Sequence, residues 1–385
     1  MTNILDETYD LDSVDPRALA EAQASQWQLI WRAFKRNKLA LAGGIVVILL
    51  YVIAIFAEFL SPFDPNAFNS QAVYHPPQAI EWVDTNADGS WSIRPHVYGL
   101  SLVRDPLTLV GTFGPDPDKK TYLSFFSQGW SYKALGLFDT NIHLIAPADG
   151  TSKFYLWGAD RLGRDMLSRT VAGTRISMSI GLIGVVFTLV LGLLFGGLAG
   201  YYGGRIDSAV QRTIEVIMSL PTIPIWLGLS AAMPMDWSPV TRYFAITVLL
   251  SLIGWTELAR VIRGRFLALR TEDFVSAAKL DGGSEFRIIF RHMLPSMTSH
   301  IIATVTLAIP AMILAETALS FLGLGLLPPV ISWGVLLQEV QNVRSLAEGP
   351  WLFAPAAVVV IAVMALNFLG DGLRDAADPY AQGGQ

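Results

Sequence analysis

The chain lacks cysteine altogether and has few charged residues for its length. The absence of cysteine from the 385 residues excludes disulfide bonds, thiolate nucleophiles and Cys-ligated zinc. Charged residues make up 15% of the chain, whereas an ordinary soluble domain carries about 25%. The formal net charge of -5 argues against nucleic acid as a partner, because such partners favour a basic face. These deficits indicate a protein that lies in a lipid membrane.

Nucleotide-binding and catalytic signatures are also missing from the sequence. There is no Gly-x-x-x-x-Gly-Lys-Ser/Thr phosphate loop, so any nucleotide must be bound by another chain. There is no His-Glu-x-x-His zinc motif, and no arrangement of Ser, His and Asp has a geometry that the pattern fixes. The sequence therefore predicts a non-catalytic protein that binds no cofactor of its own.

Hydrophobic residues are abundant, at 52% of the chain, and the mean hydropathy is +0.45. A helix needs about 20 apolar residues to cross the hydrocarbon core of a bilayer. Six runs approach or exceed this length, namely residues 39–60, 176–201, 214–233, 243–258, 301–322 and 351–370. The third run contains Pro221 and Pro224, which we expect to bend or break it. The fold class predicted is an all-α polytopic membrane protein with six transmembrane helices.

The runs divide the chain into five predicted parts. These are a cytoplasmic tail with an amphipathic helix (1–38), the first transmembrane helix (39–60), an insert (61–156), a core with helices two to six (157–370) and a C-terminal tail (371–385). The first run is no signal peptide, because it is too long and follows a polar tail of nearly forty residues.

Lysine and arginine in the short connections predict the orientation, because they favour the cytoplasmic side. With the N-terminus inside, the outer short connections carry two of these residues, Arg242 and Arg344. The inner connections carry fourteen: Arg32, Lys35, Arg36, Lys38, Arg205, Arg212, Arg260, Arg263, Arg265, Arg270, Lys279, Arg287, Arg291 and Arg374. Both termini and the loop at 259–298 are therefore predicted to be cytoplasmic.

The insert at 61–156 is polar, rich in Pro, Gly, Asp and Trp, and extracytoplasmic in this topology. Short alternating stretches bounded by turn residues predict strands within it, so we expect a small β-containing domain. The stretches are Trp91–Ile93, Tyr122–Phe126, Ile142–Ile145 and Phe154–Trp157. The domain could cover a pore mouth or contact a partner protein.

Three residues of the insert, Asp84, Asn86 and Asp88, have the spacing with which a calcium loop opens. The full calcium-loop pattern requires Glu at the twelfth position, where this sequence has Pro95. The alternative is a tight turn between strands, stabilised by Asx side chains.

The cytoplasmic loop contains residues 273–295, DFVSAAKLDGGSEFRIIFRHMLP. Thr271 begins a first short helix as its cap, and Gly282 and Gly283 can adopt the left-handed conformation that ends it. Ser284 then caps a second helix over 285–294, which Pro295 stops or redirects.

The second short helix carries an apolar stripe of Phe286, Ile289, Phe290 and Met293 beside two arginines, Arg287 and Arg291. A helix of this kind can dock into the groove of a partner protein. It can also lie on lipid headgroups. The residues alone leave both alternatives open.

The segment Ser276, Ala277, Ala278, Gly282, Leu294 and Pro295 resembles the EAA loop of bacterial ABC importer membrane subunits. The family pattern is Glu-Ala-Ala, three residues, Gly, nine residues, Ile, one residue and Leu-Pro, and the spacing fits. Ser276 replaces the Glu and His292 replaces the Ile. Other matching stretches lie at 31–43, 61–65, 158–169 (GADRLGRDMLSR), 200–204 (GYYGG), 319–325 (LSFLGLG) and 370–379. Together they resemble the C-type permease of dipeptide, oligopeptide and nickel importers.

This resemblance implies a bacterial inner-membrane importer that works by alternating access. A B-type permease would complete a heterodimer, two ATPase subunits would bind ATP and Mg, and an extracytoplasmic binding protein would deliver a peptide, an oligosaccharide or a nickel chelate. The loop's second helix would be the coupling helix that contacts an ATPase. The implied coupling residues are Ser276, Ala277, Ala278, Gly282, Gly283, Glu285, Phe286, Arg287, Phe290, Arg291, Leu294 and Pro295.

Glu316, Pro221 and Pro224 are candidates for the translocation path. An ionisable residue within a span is a functional candidate by default, although Glu316 can equally serve as a structural hydrogen-bonding group. The prolines can shape the pore as kinks. Two rival classes are a secondary transporter, which would pair charges in mid-membrane, and a membrane-anchored enzyme that uses the insert.

Overall fold

The computed structural model describes residues 26–85, 91–104, 111–234 and 236–377. The helices are α1 Gln26–Arg36, α2 Lys38–Ile55, α3 Ala57–Leu60, α4 Met166–Tyr202, α5 Gly204–Ser219, α6 Thr222–Ala231, α7 Pro239–Leu269, α8 Asp273–Leu280, α9 Glu285–Ile288, α10 Leu294–Ser296, α11 Thr298–Phe321, α12 Trp333–Gln338, α13 Val343–Glu348 and α14 Ala354–Ala377. The strands are β1 Glu81–Thr85, β2 Trp91–Arg104, β3 Gly111–Ala134 and β4 Phe138–Pro147. A π-helical turn, Ile289–Met293, joins α9 to α10.

Five helices among the described residues are long and apolar enough to cross a membrane. They are α2, α4, α7, α11 from His300, and α14 with the turn that precedes it. A sixth candidate is the pair α5 and α6, whose axes differ by 83°. The prediction of a polytopic helical fold with a β-containing insert is confirmed, and the count is six if the bent pair crosses as one span.

The break between α5 and α6 lies where the prolines predicted it. Pro221 is the N-cap of α6, and Pro224 lies in its first turn. A helix does not need the backbone N–H groups of its first turn for internal hydrogen bonds, so proline is tolerated there. The two prolines therefore begin a new helix.

The longest helix, α4, packs closely against α7 through a stripe of glycines. Gly192, Gly196 and Gly200 recur every fourth residue, so they share one face of α4. A Cβ atom on Gly196 would lie 2.5 Å from the Ala259 carbonyl oxygen, and one on Gly200 would lie 2.5 Å from the Phe266 Cβ. The absence of side chains lets the two backbones meet, as small residues do in membrane helix pairs.

Two groups of buried apolar side chains form the core around α4. One joins α4 to α7 and α11 through residues such as Ile180, Leu250 and Met312. The other joins α2, α4, α11, α12 and α14, and Trp333 at its centre is fully buried. The N-terminal helix α1 is amphipathic as predicted, since it buries Phe34 and exposes its basic residues.

The insert contains a four-stranded antiparallel sheet in the order β1-β2-β3-β4. Three predicted strands, Trp91–Ile93, Tyr122–Phe126 and Ile142–Ile145, lie within β2, β3 and β4. The predicted strand Phe154–Trp157 was wrong. Its backbone is held instead by a single residue, because Tyr155 N donates to the Gln78 side-chain oxygen Oε1 over 2.7 Å and the Gln78 backbone N donates to Tyr155 O over 2.9 Å.

The sheet is fastened to the end of the first membrane helix. His143 on β4 is fully buried, and its Nδ1 lies 3.0 Å from the Glu58 carbonyl oxygen of α3. Trp130 Nε1 on β3 donates to Ser61 O over 3.2 Å. On the other side, Arg175 of α4 pairs with the Glu58 carboxylate and donates to Ala54 O over 2.8 Å. The segment α3 is thus clamped between α4 and the insert.

The glycine stripe predicts that alanine lowers the stability of the protein at Gly196 but not at the neighbouring Gly197. Gly196→Ala places a methyl group against backbone, so we expect a loss of about 1–3 kcal/mol of stability. Gly197→Ala meets its nearest atoms, on the Phe266 ring, at 3.7 Å, and we expect no loss. The melting temperatures of the two variants in the same detergent measure the difference. Equal melting temperatures would contradict the close approach of the helices.

Candidate functional site

The loop between α7 and α11 is a packed structure of two short helices. Its first helix, α8, begins after Glu272, whose carbonyl oxygen accepts from Ser276 N over 3.0 Å. The predicted cap Thr271 was wrong, since its hydroxyl donates back to Ala268 O at the end of α7. Thr271 belongs to the preceding helix because the chain turns at Arg270 without a break in hydrogen bonding.

The first helix ends in a glycine turn, as the sequence predicts. Gly282 has φ +75° and its N–H donates to Lys279 O, while Gly283 N–H donates to Ala278 O. This pair of hydrogen bonds is the Schellman motif, in which a left-handed residue ends a helix. The prediction that Gly283 is also left-handed was wrong. A Cβ on Gly283 would lie 2.7 Å from Ala278 O, whereas a Cβ on Gly282 would meet no described atom within 4 Å.

Ser284 begins the second helix, as predicted, because its Oγ accepts from Arg287 N over 3.4 Å. The helix predicted over 285–294 is present, but it is not a regular α-helix: the α-helical turns stop at Ile288, and a π-helical turn carries the chain to Met293. Pro295 has no N–H, and its ring would clash with the Arg291 carbonyl in a regular helix. The wider turn avoids this clash. The chain then passes through Pro295 and changes direction at Met297, where φ is -116°.

The π-helical turn divides the predicted apolar stripe between two faces. Met293 is buried with Ile288, Val275 and Phe266 in a core beneath α7. Phe286 and Phe290 are 71% and 54% exposed, and their ring centroids lie 4.3 Å apart. The prediction that all four apolar residues share one face was therefore wrong. The sequence analysis did not predict that Ile288 is buried. Its burial beside Met293 depends on the π turn, which changes the helical spacing between the two residues.

The exposed face of the loop is aromatic and basic. Arg287 and Arg291 are exposed beside the pair Phe286 and Phe290, which we call the aromatic pair. Elsewhere in the loop, Ser276, Ala277, Gly282, Glu285 and Pro295 are exposed, whereas Ala278, Gly283 and Leu294 are half-buried. The structure thus brings most of the predicted coupling residues to one accessible segment.

The loop is joined to the C-terminal end of α4. Tyr202 OH donates to Glu285 Oε2 over 2.6 Å, and the Lys279 ammonium lies 5.6 Å from the centre of the Tyr201 ring. Nearby, Arg263 Nη2 on α7 donates to Asp207 Oδ2 on α5 over 2.6 Å. Tyr201 and Tyr202 belong to the stretch 200–204, which the sequence analysis matched to the family. The hydrogen bond from Tyr202 to Glu285 could not be predicted from the local sequence, because the two residues are 83 positions apart.

Glu316, a candidate for the translocation path, lies in the protein interior. Its side chain is fully buried, and Oε1 accepts from the hydroxyls of Ser320 and Ser332, each over 2.8 Å. Those serines in turn accept from Leu326 N and Val335 N. Glu316 therefore holds the chain that follows α11 and the start of α12, which favours its structural role. Pro221 and Pro224 are both exposed at the start of α6.

The beginning of α4 is held by buried charges of the stretch 158–169. Asp160 Oδ2 accepts from Arg164 Nε over 2.6 Å, and Arg164 Nη2 donates to Glu339 Oε1 over 2.9 Å. Asp165 caps α4 by accepting from Ser168 N, and burial raises the pKa of its carboxyl group to about 6. These ion pairs join α4 to the segment between α12 and α13.

In the insert, Asp84 directs its carboxylate towards two residues of β3. Its oxygens accept from Lys120 Nζ over 2.9 Å and from Tyr122 OH over 2.7 Å. These hydrogen bonds lower the pKa of Asp84 to about 2. Asn86 and Asp88 lie outside the described residues, so calcium binding stays a prediction. Among the residues that are described, no group of three His, Asp or Glu side chains could hold a metal ion.

Comparison with known proteins gives two family matches. Residues 192–381 match the "Binding-protein-dependent transport system inner membrane component" and residues 25–77 match the "N-terminal TM domain of oligopeptide transport permease C". Most of the insert lies between the two matched ranges. Among solved structures, the MetNI methionine ABC transporter in an inward-facing conformation superposes with a TM-score of 0.44 at 17% identity, covering 55% of this chain and 98% of that one.

Two curated relatives match nearly the whole chain. The dipeptide transport system permease protein DppC of Bacillus subtilis is 32% identical over 372 residues, which cover 96% of this chain and 89% of the relative. The oligopeptide transport system permease protein OppC of the same organism is 27% identical over 366 residues, which cover 95% and 93%.

The Glu316 network predicts a stability defect that depends on hydrogen bonding. Glu316→Ala leaves two buried hydroxyls without their acceptor, so we expect a loss of about 1–3 kcal/mol. Glu316→Gln keeps an acceptor oxygen and should lose less. Glu215→Ala, which removes an exposed ion pair with Arg212, should change stability by less than about 1 kcal/mol. Melting temperatures in detergent test this order, and a wild-type value for Glu316→Ala would contradict it.

Proposed function

The chain belongs to the family of binding-protein-dependent transport system inner membrane components, and we propose that it forms half of the pore of a peptide importer. It is the non-catalytic permease subunit of an ABC transporter, and separate ATPase subunits hydrolyse ATP. It is a multi-pass inner membrane protein. Peptide as the substrate is supported by the dipeptide and oligopeptide permeases that it resembles.

The proposal includes the arrangement of the whole transporter. A B-type permease completes the heterodimer, two ATPase subunits lie on the cytoplasmic side, and an extracytoplasmic binding protein delivers the substrate. Six spans result if α5 and α6 cross as one bent unit, and both termini are then cytoplasmic. The excess of Lys and Arg in the connections of that side supports this orientation.

The observation that carries the mechanism is the aromatic pair beside Arg287 and Arg291. Exposed aromatic rings with basic neighbours on a helix suit the groove of a partner protein. The opposite face of the same segment buries Ile288 and Met293 in the core. A force applied to the aromatic pair is therefore transmitted to α7 and α4, because packed cores deform little. In this proposal the ATPases drive alternating access by moving this segment as a rigid unit.

The aromatic pair provides the test of this function. Phe286→Ser with Phe290→Ser should reduce binding of the ATPases and peptide-dependent ATP hydrolysis, because truncating a buried aromatic anchor costs about 2 kcal/mol or more. Phe353→Ser removes an aromatic ring of similar exposure, 47%, outside the loop, and serves as the control. Co-purification and ATP hydrolysis are measured with the reconstituted transporter and its binding protein. Unchanged activity of the double variant would contradict the docking role.

Substitutions at Gly282 can distinguish a requirement for its backbone conformation from a requirement for the space around it. Within this chain, Gly282 requires φ +75° but has open space around its Cβ position. Asn tolerates the left-handed conformation, whereas β-branched residues do so rarely. We therefore expect Gly282→Asn to retain peptide uptake and Gly282→Val to lose most of it, while both variants still insert into the membrane. Normal uptake by Gly282→Val would contradict the role of the elbow, and loss of uptake by both variants would mean that a partner subunit fills the space.

A further inference from the structure

The hairpin between β3 and β4 ends in an apolar tip, which comprises residues 134–138. Leu135, Leu137 and Phe138 are 58%, 74% and 69% exposed. The neighbouring residues Lys133 and Asp139 pair across the strands and are both exposed. The tip thus presents large apolar side chains beyond a pair of charges. A soluble hairpin more often has polar turn residues.

The base of this hairpin lies at the level where the membrane spans begin. His143 and Trp130 contact the backbone of Glu58 and Ser61, and the Glu58 carboxylate pairs with Arg175. Glu58 is the last charge of the first apolar run, and the rest of α4 beyond Arg175 has no charged residue. The ion pair therefore marks the boundary between polar and apolar surface on α2 and α4.

The tip lies beside the apolar residues of α2 and α4 that are next to this boundary. Leu135 and Gly136 line a cavity of about 440 Å³ together with Tyr51 on α2 and Leu182 on α4. Tyr51 precedes Glu58 by seven residues, and Leu182 follows Arg175 by seven. Seven residues of α-helix rise about 10 Å. Leu135 also lines a pocket with Phe56 and Glu58. The tip therefore lies between the level of the ion pair and about 10 Å inside the apolar zone of the helices, which is about 30 Å thick in total.

The helix surfaces that run inward from the tip are also apolar, and the described part of the chain leaves them exposed. On α2, Ile48 and Val52 are 66% and 41% exposed, and on α4, Val186 and Val190 are 52% and 57% exposed. The tip continues this surface outward. Since the helices span the membrane, the lipid that surrounds them also contacts the tip where the two lie at the same depth.

The residues above the tip have the order that is typical of a membrane interface. Trp130 and Tyr132 lie nearest the Glu58 level, with ring centroids 5.4 Å apart, and aromatic residues of this kind are enriched at headgroup depth. Lys133 and Asp139 follow, and Lys can extend its ammonium towards the headgroups. The apolar side chains come last. This sequence of aromatic, charged and apolar residues along the hairpin fits lipid better than a protein surface.

We propose that the tip at 134–138 is a wedge inserted among the lipid acyl chains of the leaflet next to the insert, which anchors the sheet to the membrane beside α2 and α4. The turn satisfies two of its own amides, because Gly136 N donates to Lys133 O and Leu137 N donates to Ala134 O. Few free backbone groups therefore enter the hydrocarbon, where an unpaired one costs several kcal/mol. The wedge is shallow because it ends at the paired charges.

The absence of cysteine makes a direct test simple, since a single introduced thiol can be labelled in an otherwise unchanged chain. The variants are Leu137→Cys at the tip and Lys119→Cys on the same strand β3, where the Lys119 side chain is 70% exposed. Each carries an environment-sensitive fluorophore. The full chain, co-purified with its transporter subunits, is placed in nanodiscs made with lipids brominated in the acyl chain, and aqueous iodide is the second quencher.

The wedge predicts that brominated lipid removes most of the fluorescence of the Leu137 label and that iodide has little effect on it. The Lys119 label should show the opposite response. Efficient quenching of both labels by iodide would overturn the proposal, because the tip would then lie in water. A Leu137 label shielded from both quenchers would also overturn it, because a protein subunit would cover the tip. Both substitutions are at exposed positions, and wild-type melting temperatures verify the fold.

Discussion

The close contact between α4 and α7 is the constraint on which the rest of the structure depends. Three glycines in one row allow backbone to meet backbone, and any side chain there would separate the helices. Because α7 leads directly into the loop at 270–297, its position on α4 also determines where α8 and α9 can pack. The core of Phe266, Val275, Ile288 and Met293 forms on this foundation. A membrane-embedded contact thus places a segment that lies outside the apolar spans.

Polar side chains connect the remaining parts to the same helix. At one end, Arg175 and the ion pairs of Asp160 and Arg164 hold the insert and the segment near Glu339. Close to Arg175, Ser177 accepts from Trp333 N and so links α4 to the serines around Glu316. At the other end, the exposed hydroxyl of Tyr202 donates to Glu285. The buried groups among them have partners because an unpaired polar group in the protein interior is costly.

The sequence predicts the features that depend on local chemistry. The glycine turn at Gly282, the cap at Ser284 and the break at Pro221 each follow from one residue's backbone preference or hydrogen bond. Features that depend on distant residues could not be predicted in this way. The π turn depends on both Pro295 and the core in which Met293 is buried. Because of this turn, Ile288 occupies the buried place that the sequence pattern had assigned to Ile289. The backbone at Tyr155 looks like a strand in sequence, yet a side chain 77 residues away satisfies it.

The length of α4 has a mechanical consequence. Its 37 residues extend about 55 Å, well beyond a hydrocarbon core of about 30 Å. The contact at Gly196 lies about 9 Å from Tyr202 and about 45 Å from Met166 along the axis. If the helix tilts as a rigid rod about that fulcrum, a small displacement at the loop becomes one about five times larger at the far end. An unequal lever of this kind converts a short stroke into a wide opening without any hinge within the rod.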